Sequence, residues 1–427
     1  MKKAALHNLG CKVNSYETEA MQQMLEDAGY EIVPFSEKAD VYIINTCSVT
    51  NIADRKSRQM LHRAKHLNPD SIVIGTGCYV QTAYEKLKED VAVDILIGNN
   101  RKQDLLRIIQ EYETEHRVTD TCIDINQGVQ EYENLNVSRA AEHTRAFLKV
   151  QDGCNQFCSY CIIPYARGRV RSKQIADVRK EAEALAAGGY QEIVLTGIHL
   201  SSFGVDHGET LLELIEELHK ITGIQRIRLG SLEPGIVTDA FAEALSRLPK
   251  VCPHFHLSLQ SGCDTVLKRM NRKYDSAEYE EKCKILRKYF EHPAITTDII
   301  VGFPGETEEE FAKTCEFVEQ IRFYEIHVFK YSKREGTVAA SMKDQVDESI
   351  KNDRSTHLLT LAENLKQEYM QWYEEKKVPV LFERKVERDG ALYYEGFTPE
   401  YVKVYKPADD ACLENQIMEV EFSEVLY

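Results

Sequence analysis

A chain of 427 residues exceeds what one hydrophobic core usually serves, so two or three domains are expected. A composition of 43% apolar and 29% charged residues without low-complexity tracts excludes a disordered protein, and a formal charge of −16 excludes a general nucleic-acid coat, which needs clustered lysine and arginine. No apolar run reaches the length of a membrane span and the N-terminus turns polar at His7-Asn8, so a cytoplasmic, reducing location is expected, where twelve cysteines serve metal rather than disulfides.

Residues 1–110 alternate strand-like runs (4–9, 40–45, 71–76 and 93–97) with amphipathic helical ones, the pattern of an open parallel α/β sheet. The helix over 14–28 opens on a capping-box-like Asn14 and Glu17 and carries Met21, Leu25 and Ala28 on one face. Cys11, Cys47 and Cys78 each follow a strand after a short turn. The corresponding ends of parallel strands share one crevice, where open α/β sheets bind ligands. Three separate buried thiols would satisfy the same residues, but the repeated strand-end placement favours one three-cysteine set.

The hydrophobic period fades over 111–144, which is assigned to a joint containing Cys122. Six strand-like runs follow (146–151, 192–197, 225–230, 254–260, 295–302 and 324–331), separated by helical runs at 175–187, 211–221, 238–248, 278–290 and 308–321. Six such units, spanning 145–377 with a closing helix over 349–377, make a partial (β/α)6 barrel, two units short of the eight-fold one. In such barrels the site lies at the strand C-terminal ends. That placement selects Gly197, Glu233, Gln260, Asp298 and Gly302 as candidate pocket residues. The tail, 378–427, holds four short strands and implies a small OB-like β-barrel of the kind that binds looped or single-stranded nucleic acid, although Glu414, Glu419, Glu421 and Glu424 make it acidic.

Directly after the first barrel strand, Cys154, Cys158 and Cys161 form a C-x3-C-x2-C pattern. Three thiols cannot close a tetrahedral zinc shell, but they can hold three irons of a 4Fe-4S cluster and leave the fourth open for chemistry. The acid-free stretch after the loop carries Arg167, Arg169, Arg171 and Lys173, the candidate contacts for an RNA backbone. Two further basic groups, Lys268 to Lys273 and Arg55 to Lys65, fit solvated faces equally well. Cys263 reads as a small packed residue, and Cys252, Cys283, Cys315 and Cys412 as ordinary buried thiols.

The loop, with Tyr160 before its last cysteine, resembles the cluster loop of radical S-adenosylmethionine (SAM) enzymes. Together with Leu9-Gly10-Cys11-Lys12-Val13-Asn14-Ser15-Tyr16-Glu17-Thr18 and Cys158-Ser159-Tyr160-Cys161-Ile162-Ile163-Pro164-Tyr165-Ala166-Arg167-Gly168-Arg169, it resembles the radical SAM methylthiotransferases over nearly the whole chain, nearest the subgroup acting on threonylcarbamoyladenosine (t6A) in tRNA. Relatives acting on isopentenyladenosine usually begin Gly-Cys-Gln-Met-Asn and those acting on a ribosomal-protein aspartate Gly-Cys-Pro-Lys-Asn; Lys12-Val13 fits neither.

The resemblance implies a C-terminal TRAM domain and two 4Fe-4S clusters, one on Cys154, Cys158 and Cys161 that cleaves SAM and an auxiliary one on Cys11, Cys47 and Cys78. It also implies hydrogen abstraction from adenine C2 beside the anticodon (position 37), sulfur from the auxiliary cluster and a methyl group from a second SAM. Tyr160 would offer its backbone to the SAM adenine, and Gly197, Glu233, Gln260, Asp298 and Gly302, at the strand ends, would shape the SAM pocket. The implied partners are a tRNA anticodon stem-loop, an electron donor such as flavodoxin or ferredoxin, and a sulfur donor, with no membrane. Alternatives are the same chemistry on isopentenyladenosine or a ribosomal protein, a non-catalytic iron–sulfur RNA-binding module, and zinc-stapled structural domains.

Overall fold

The computed structural model describes residues 1–116, 118, 121–128, 130–138, 144–408 and 412–426. The N-terminal part is a parallel sheet in the order β2-β1-β3-β4-β5, built from β1 (Lys3–Asn8), β2 (Glu31–Ile32), β3 (Val41–Thr46), β4 (Ile72–Gly77) and β5 (Ile95–Ile97). Its crossover helices are α1 (Lys12–Asp27), α2 (Asn51–Leu67), α3 (Cys78–Leu87) and α4 (Leu105–Glu115). Both faces are covered: Val41 and Ile43 enter one apolar cluster, Tyr42 and Ile44 the other. Strands buried on two sides need unbroken apolar runs, which is how β3 reads.

The central part is a curved sheet of β6 (Ala146–Asp152), β8 (Glu192–Gly197), β9 (Arg226–Leu229), β10 (His254–His256), β11 (Ala294–Val301) and β12 (Glu325–Lys330), all parallel, with bridges Ile227 to Val251 and Leu232 to Leu257 joining its two halves. A two-residue strand absent from the sequence reading, β7 (Arg171–Ser172), pairs antiparallel with β6. The short α5 (Ile163–Arg167) follows the cysteine loop, and outside the sheet run α6 (Ile175–Ala187), α7 (Leu211–His219), α8 (Asp239–Ser246), α9 (Asp264–Arg269), α10 (Ser276–Tyr289) and α11 (Glu308–Ile321). Thr210 and Thr307 close capping boxes with Glu213 and Glu310, which fixes where α7 and α11 begin.

The short α12 (Val338–Ser341) precedes the long α13 (Glu348–Met370), which ends seven residues before the expected boundary; β13 (Lys377–Arg388) already begins there. With β14 (Ala391–Phe397), β15 (Lys403–Pro407) and β16 (Gln416–Glu421) it forms an antiparallel sheet in the order β15-β14-β13-β16. A bridge from Tyr405 to Leu426, beyond β16, brings the two edges toward each other as in a small barrel. One sequence reading is corrected. Asn14 and Glu17 cap nothing: α1 begins at Lys12 after Cys11, and both side chains are buried. Within the joint assigned to 111–144, Leu135 and Val137 pack into the barrel core beside Tyr16 and Ala20 of α1.

The C-terminal sheet is seated on the N-terminal rim of the barrel strands by arginines. Arg226 donates to the Phe397 and Pro379 carbonyls, both at 2.9 Å, and Arg228 to the Pro399 carbonyl at 2.7 Å. Arg228 also binds Glu192 at 2.7 Å and lies over the Tyr401 ring at 4.7 Å. Replacing Arg228 by methionine leaves Glu192 buried without its main partner, a change expected to cost about 3–5 kcal/mol. A fall in the melting midpoint together with earlier proteolytic release of the segment after α13 is the expected result.

Candidate functional site

Three turns of the N-terminal sheet present its cysteines. Cys11 is the N-cap of α1, Cys47 follows β3 and Cys78 opens α3 after β4. The turns are tied to one another: Asn14 Nδ2 donates to the Leu9 carbonyl at 2.7 Å and to the Thr46 carbonyl at 3.0 Å, and Thr46 Oγ1 donates to the Thr76 carbonyl at 2.5 Å. Gly77, at φ 94°, has no room for a side chain, because a Cβ there would lie 2.5 Å from Asn45 Oδ1 and the Thr46 carbonyl. A Cβ on Gly10 would stand 3.0 Å from Cys47 Sγ, so the first turn lies directly against the second cysteine. The three cysteine-bearing turns are thus packed against one another at one end of the sheet.

The second cysteine set is clamped mainly through backbone. Gly153, at φ 71°, passes so close to Arg169 that a Cβ would lie 1.9 Å from its carbonyl oxygen, and the Cys154 amide donates to the Gly168 carbonyl at 3.0 Å. Ser159 N donates to the Met270 carbonyl and Ala339 N to the Ser159 carbonyl, pinning the loop between α9 and α12. Burial pushes the Cys47 and Cys154 thiols up to about 11 and Cys161 to about 12. Buried thiols of this kind lose their protons on binding metal.

One arginine reaches each set. Arg167 Nε stands 3.3 Å from Cys78 Sγ, and Arg272 Nη1 stands 3.3 Å from Cys158 Sγ. Arg167 is wholly buried and links the two halves: it binds Glu17 of α1 at 2.8 and 3.1 Å, Asp152 of β6 at 3.1 Å and Asn14 Oδ1 at 2.7 Å. Lys149 joins Glu17 to Asp152, both at 2.7 Å, and Lys102 lies 3.2 Å from Glu17. Burial by itself would push the Glu17 carboxyl up, but the charges of Arg167, Lys102 and Lys149 hold it well below the usual range. Asp152 is likewise lowered against its burial, chiefly by Arg167 and Lys149.

This burial corrects the RNA-contact assignment. Arg167, Arg171 and Lys173 are 0%, 3% and 1% exposed, and Lys173 is spent on Glu181 at 2.5 Å. Cations enclosed with carboxylates are out of reach of an RNA backbone, which leaves Arg169, exposed and lying over the Phe157 ring at 4.4 Å. The other basic groups divide: Arg269 binds Glu310 and Lys65 binds Asp94, whereas Arg55, Lys56 and Arg63 on α2 are exposed.

Glu233, among the pocket candidates, lies at the cysteine loop, bonded to Arg272 at 2.6 Å and 3.7 Å from His199, which itself contacts Gln156 at 3.4 Å. Gly197 lies against Gln151, whose Oε1 accepts from the His199 amide. Gln260 donates its backbone amide to the Asp298 carbonyl at 2.8 Å, while the Asp298 side chain meets His256 at 3.4 Å. Gly302 is set apart from them: it abuts Lys351 of α13, and its amide donates to Glu306. Tyr160 turns its ring toward Phe303, 6.5 Å between centroids, in a small apolar cluster that also takes up Cys263. Cys252, Cys283 and Cys315 are buried as expected; Cys412 is exposed, correcting its reading as a buried thiol. The sequence reading missed Glu17, Lys149 and Arg272 as site residues, and no local spacing marks them.

Neither cysteine set brings its sulfurs within the 4.8 Å mutual spacing of one ion's ligands; among the described residues His256, Asp298 and His327 do. Sets of three thiols, each met by one guanidinium, suit an anionic cluster with one open iron better than a four-ligand zinc site.

Comparison with known proteins agrees with this reading. Residues 148–318 match the Radical SAM superfamily and residues 3–98 the Uncharacterized protein family UPF0004. The fold resembles a radical SAM methyltransferase, TsrM from Kitasatospora setae, with TM-score 0.60 and 16% identity over 79% of this chain and 77% of that one. The protein is thus a radical SAM enzyme. It is 44% identical to the threonylcarbamoyladenosine tRNA methylthiotransferase MtaB of Bacillus subtilis (strain 168), over 96% of this chain and 92% of the relative. It is 41% identical to the MtaB of Aquifex aeolicus (strain VF5), over 88% and 90%. Identity to the tRNA-2-methylthio-N(6)-dimethylallyladenosine synthase of Thermoanaerobacter sp. (strain X514) is 38%, over 90% and 83%. The chain belongs to the radical SAM methylthiotransferase family, whose members use SAM and two 4Fe-4S clusters.

The buried ion network gives a pH test. Glu17 has its folded pKa below its unfolded value near 4.5, so its contribution to stability is complete above about pH 4.5 and is lost as the pH falls toward the folded value. Glu17→Gln is expected to lower stability at pH 7 by about 3–5 kcal/mol. Melting midpoints measured between pH 3 and 7 should show a flatter acid limb for the variant than for the parent.

Proposed function

We propose that the protein converts N6-threonylcarbamoyladenosine beside the tRNA anticodon, at position 37, to its 2-methylthio derivative, with sulfur inserted at adenine C2 and a methyl group taken from a second SAM. The observation that carries this reading is the pair of three-cysteine sets joined through Arg167, and the identity to two enzymes named for that substrate supports the choice of base. Cys154, Cys158 and Cys161 would hold the SAM-cleaving cluster and Cys11, Cys47 and Cys78 the auxiliary one. When bound, the two clusters and SAM supply one-electron chemistry and sulfur.

The chain's own part is positioning and exclusion of water. Gly153 and the Cys154 amide hold the loop at the end of β6, and Arg272 sets the Glu233 carboxylate beside Cys158. Glu233 and Gln260, at the barrel rim, would meet the polar groups of SAM, with Gly197 nearby. Arg167 keeps the N-terminal sheet against the barrel, so a base between the sets meets both at fixed distance. Arg169 and the C-terminal sheet would contact the anticodon stem-loop. The reaction would take place in the cytoplasm with a protein electron donor of the flavodoxin or ferredoxin type and a separate sulfur donor.

A second reading keeps the chemistry and changes the base to dimethylallyladenosine, favoured by the 38% identity to enzymes named for it. Mass analysis of tRNA nucleosides from a deletion strain separates the two. Loss of methylthio-threonylcarbamoyladenosine is expected, and its persistence with loss of the dimethylallyl product would select the second reading. Cys158→Ala and Cys78→Ala should each lower bound iron by about half and each abolish product. Only Cys158→Ala should stop release of 5′-deoxyadenosine from SAM under reductant.

A further inference from the structure

The inner face of the barrel is lined by charged and hydrogen-bonding side chains. Strand register places Glu192 beside Arg226, His256 beside Thr296, and Asp298 beside His327. His256, Asp298 and His327 bring their ligand atoms within 4.8 Å of one another. His256 is oriented from both ring nitrogens, Nδ1 at 2.9 Å from Thr296 Oγ1 and Nε2 at 3.4 Å from Asp298. His327 is exposed, and it lies on β12, the edge strand of its half-sheet, where the barrel is open.

The other half of the molecule carries a cation toward the barrel: Lys12 opens α1, which packs against β6 and β8. Lys12, the residue after Cys11, is exposed, makes no hydrogen bond or ion pair with any described residue, and lies within electrostatic reach of Arg145, Arg228 and Glu192. Glu192 is already bonded to Arg228 at 2.7 Å, so it does not neutralise Lys12. His254, two residues before His256 on β10, is buried with its ring tilted against Tyr401 at 5.2 Å. The lumen thus combines an unpaired ammonium with a carboxylate and two imidazoles, a set that suits a ligand bearing an anion together with hydroxyl or N–H donors.

The two bases named for the relatives differ in this respect. A dimethylallyl group is a hydrocarbon, whereas a threonylcarbamoyl group has a carboxylate, a hydroxyl and urea N–H groups. We propose that Lys12 and the His256–Asp298–His327 cluster form the pocket that selects the threonylcarbamoyl substituent, Lys12 taking its carboxylate, Asp298 accepting from its hydroxyl or N–H, and His327 closing over it from the open edge. This rests on the substrate reading above. Placing these groups in a water-accessible lumen disfavours the hydrocarbon, since burying them against it would leave them unpaired.

The test is binding of synthetic anticodon stem-loops to the cluster-loaded protein without reductant, read by fluorescence anisotropy, with threonylcarbamoyladenosine, dimethylallyladenosine or adenosine at the target position. The parent should prefer the threonylcarbamoyl RNA over the adenosine RNA by about 10- to 100-fold. Lys12→Met and His327→Phe should each lose that preference, and Lys12→Arg should keep most of it. Variants that retain the parent's preference would overturn the assignment while leaving the proposed substrate standing. A parent that prefers the dimethylallyl RNA would overturn the substrate and the pocket together. Uptake of one Zn2+ per chain that His327→Phe abolishes would give the cluster to an ion instead and also overturn the proposal. If Lys12→Met loses iron, His327→Phe, on the edge strand β12, decides.

Discussion

The buried guanidinium of Arg167 is the contact on which the site depends. It lies between Glu17, Asp152, Asn14 and Cys78, so one side chain touches α1, β6 and the third cysteine turn of the N-terminal sheet. Its own backbone follows the second cysteine set, and the Gly168 carbonyl next to it receives the Cys154 amide. A planar fork with five donors can serve this many acceptors at once, which a lysine cannot. Buried charges of this kind do not add stability by themselves, because desolvation offsets most of their attraction. What they add is a fixed relative placement of the two cysteine sets.

That placement matters because the two sets come from separate sheets, and nothing in the covalent chain between 78 and 154 sets their distance. Lys149 and Lys102 reinforce the same point by converging on Glu17. The thiols of Cys47, Cys154 and Cys161 are raised by burial and so are poor anions until a metal is present. The protein provides instead a preformed frame of backbone clamps, with one guanidinium at each set.

The barrel separates two kinds of surface. Residues facing the outer helices, such as Ile193, Leu195, Ile227 and Leu229, form the apolar core. Those facing inward include Glu192, Arg228, His256 and Asp298. A packed eight-stranded barrel fills its interior with branched apolar side chains; with six strands this one leaves β12 as an edge, where His327 is exposed, and polar residues stand on the inner wall. Arginines at the lower rim anchor the C-terminal sheet, so the floor of the lumen and the seat of that sheet are built from the same residues.

Much of this was legible in the sequence for identifiable reasons. Parallel strands buried on both faces produce continuous apolar runs, so β3, β8 and β11 were found nearly to the residue, and α6 and α11 were bounded correctly by their amphipathic pattern. The cysteines announced themselves by spacing or by their recurrence after strands. What failed were the inferences about Arg167, Arg171, Lys173 and Glu17 drawn from their neighbours in the chain. Arg167, Arg171 and Lys173 looked like an exposed basic patch because no acid lies near them in sequence, yet their partners Glu17, Asp152 and Glu181 arrive from other elements. Asn14 and Glu17 looked like a helix cap for the same reason. Local sequence determined which segments are strands and helices and which cysteines stand at their ends, because those depend on periodicity and short-range sterics. Only the tertiary structure decided which charges are buried and how Arg167 ties the two cysteine sets together, because ion pairing and desolvation are set by distance in space.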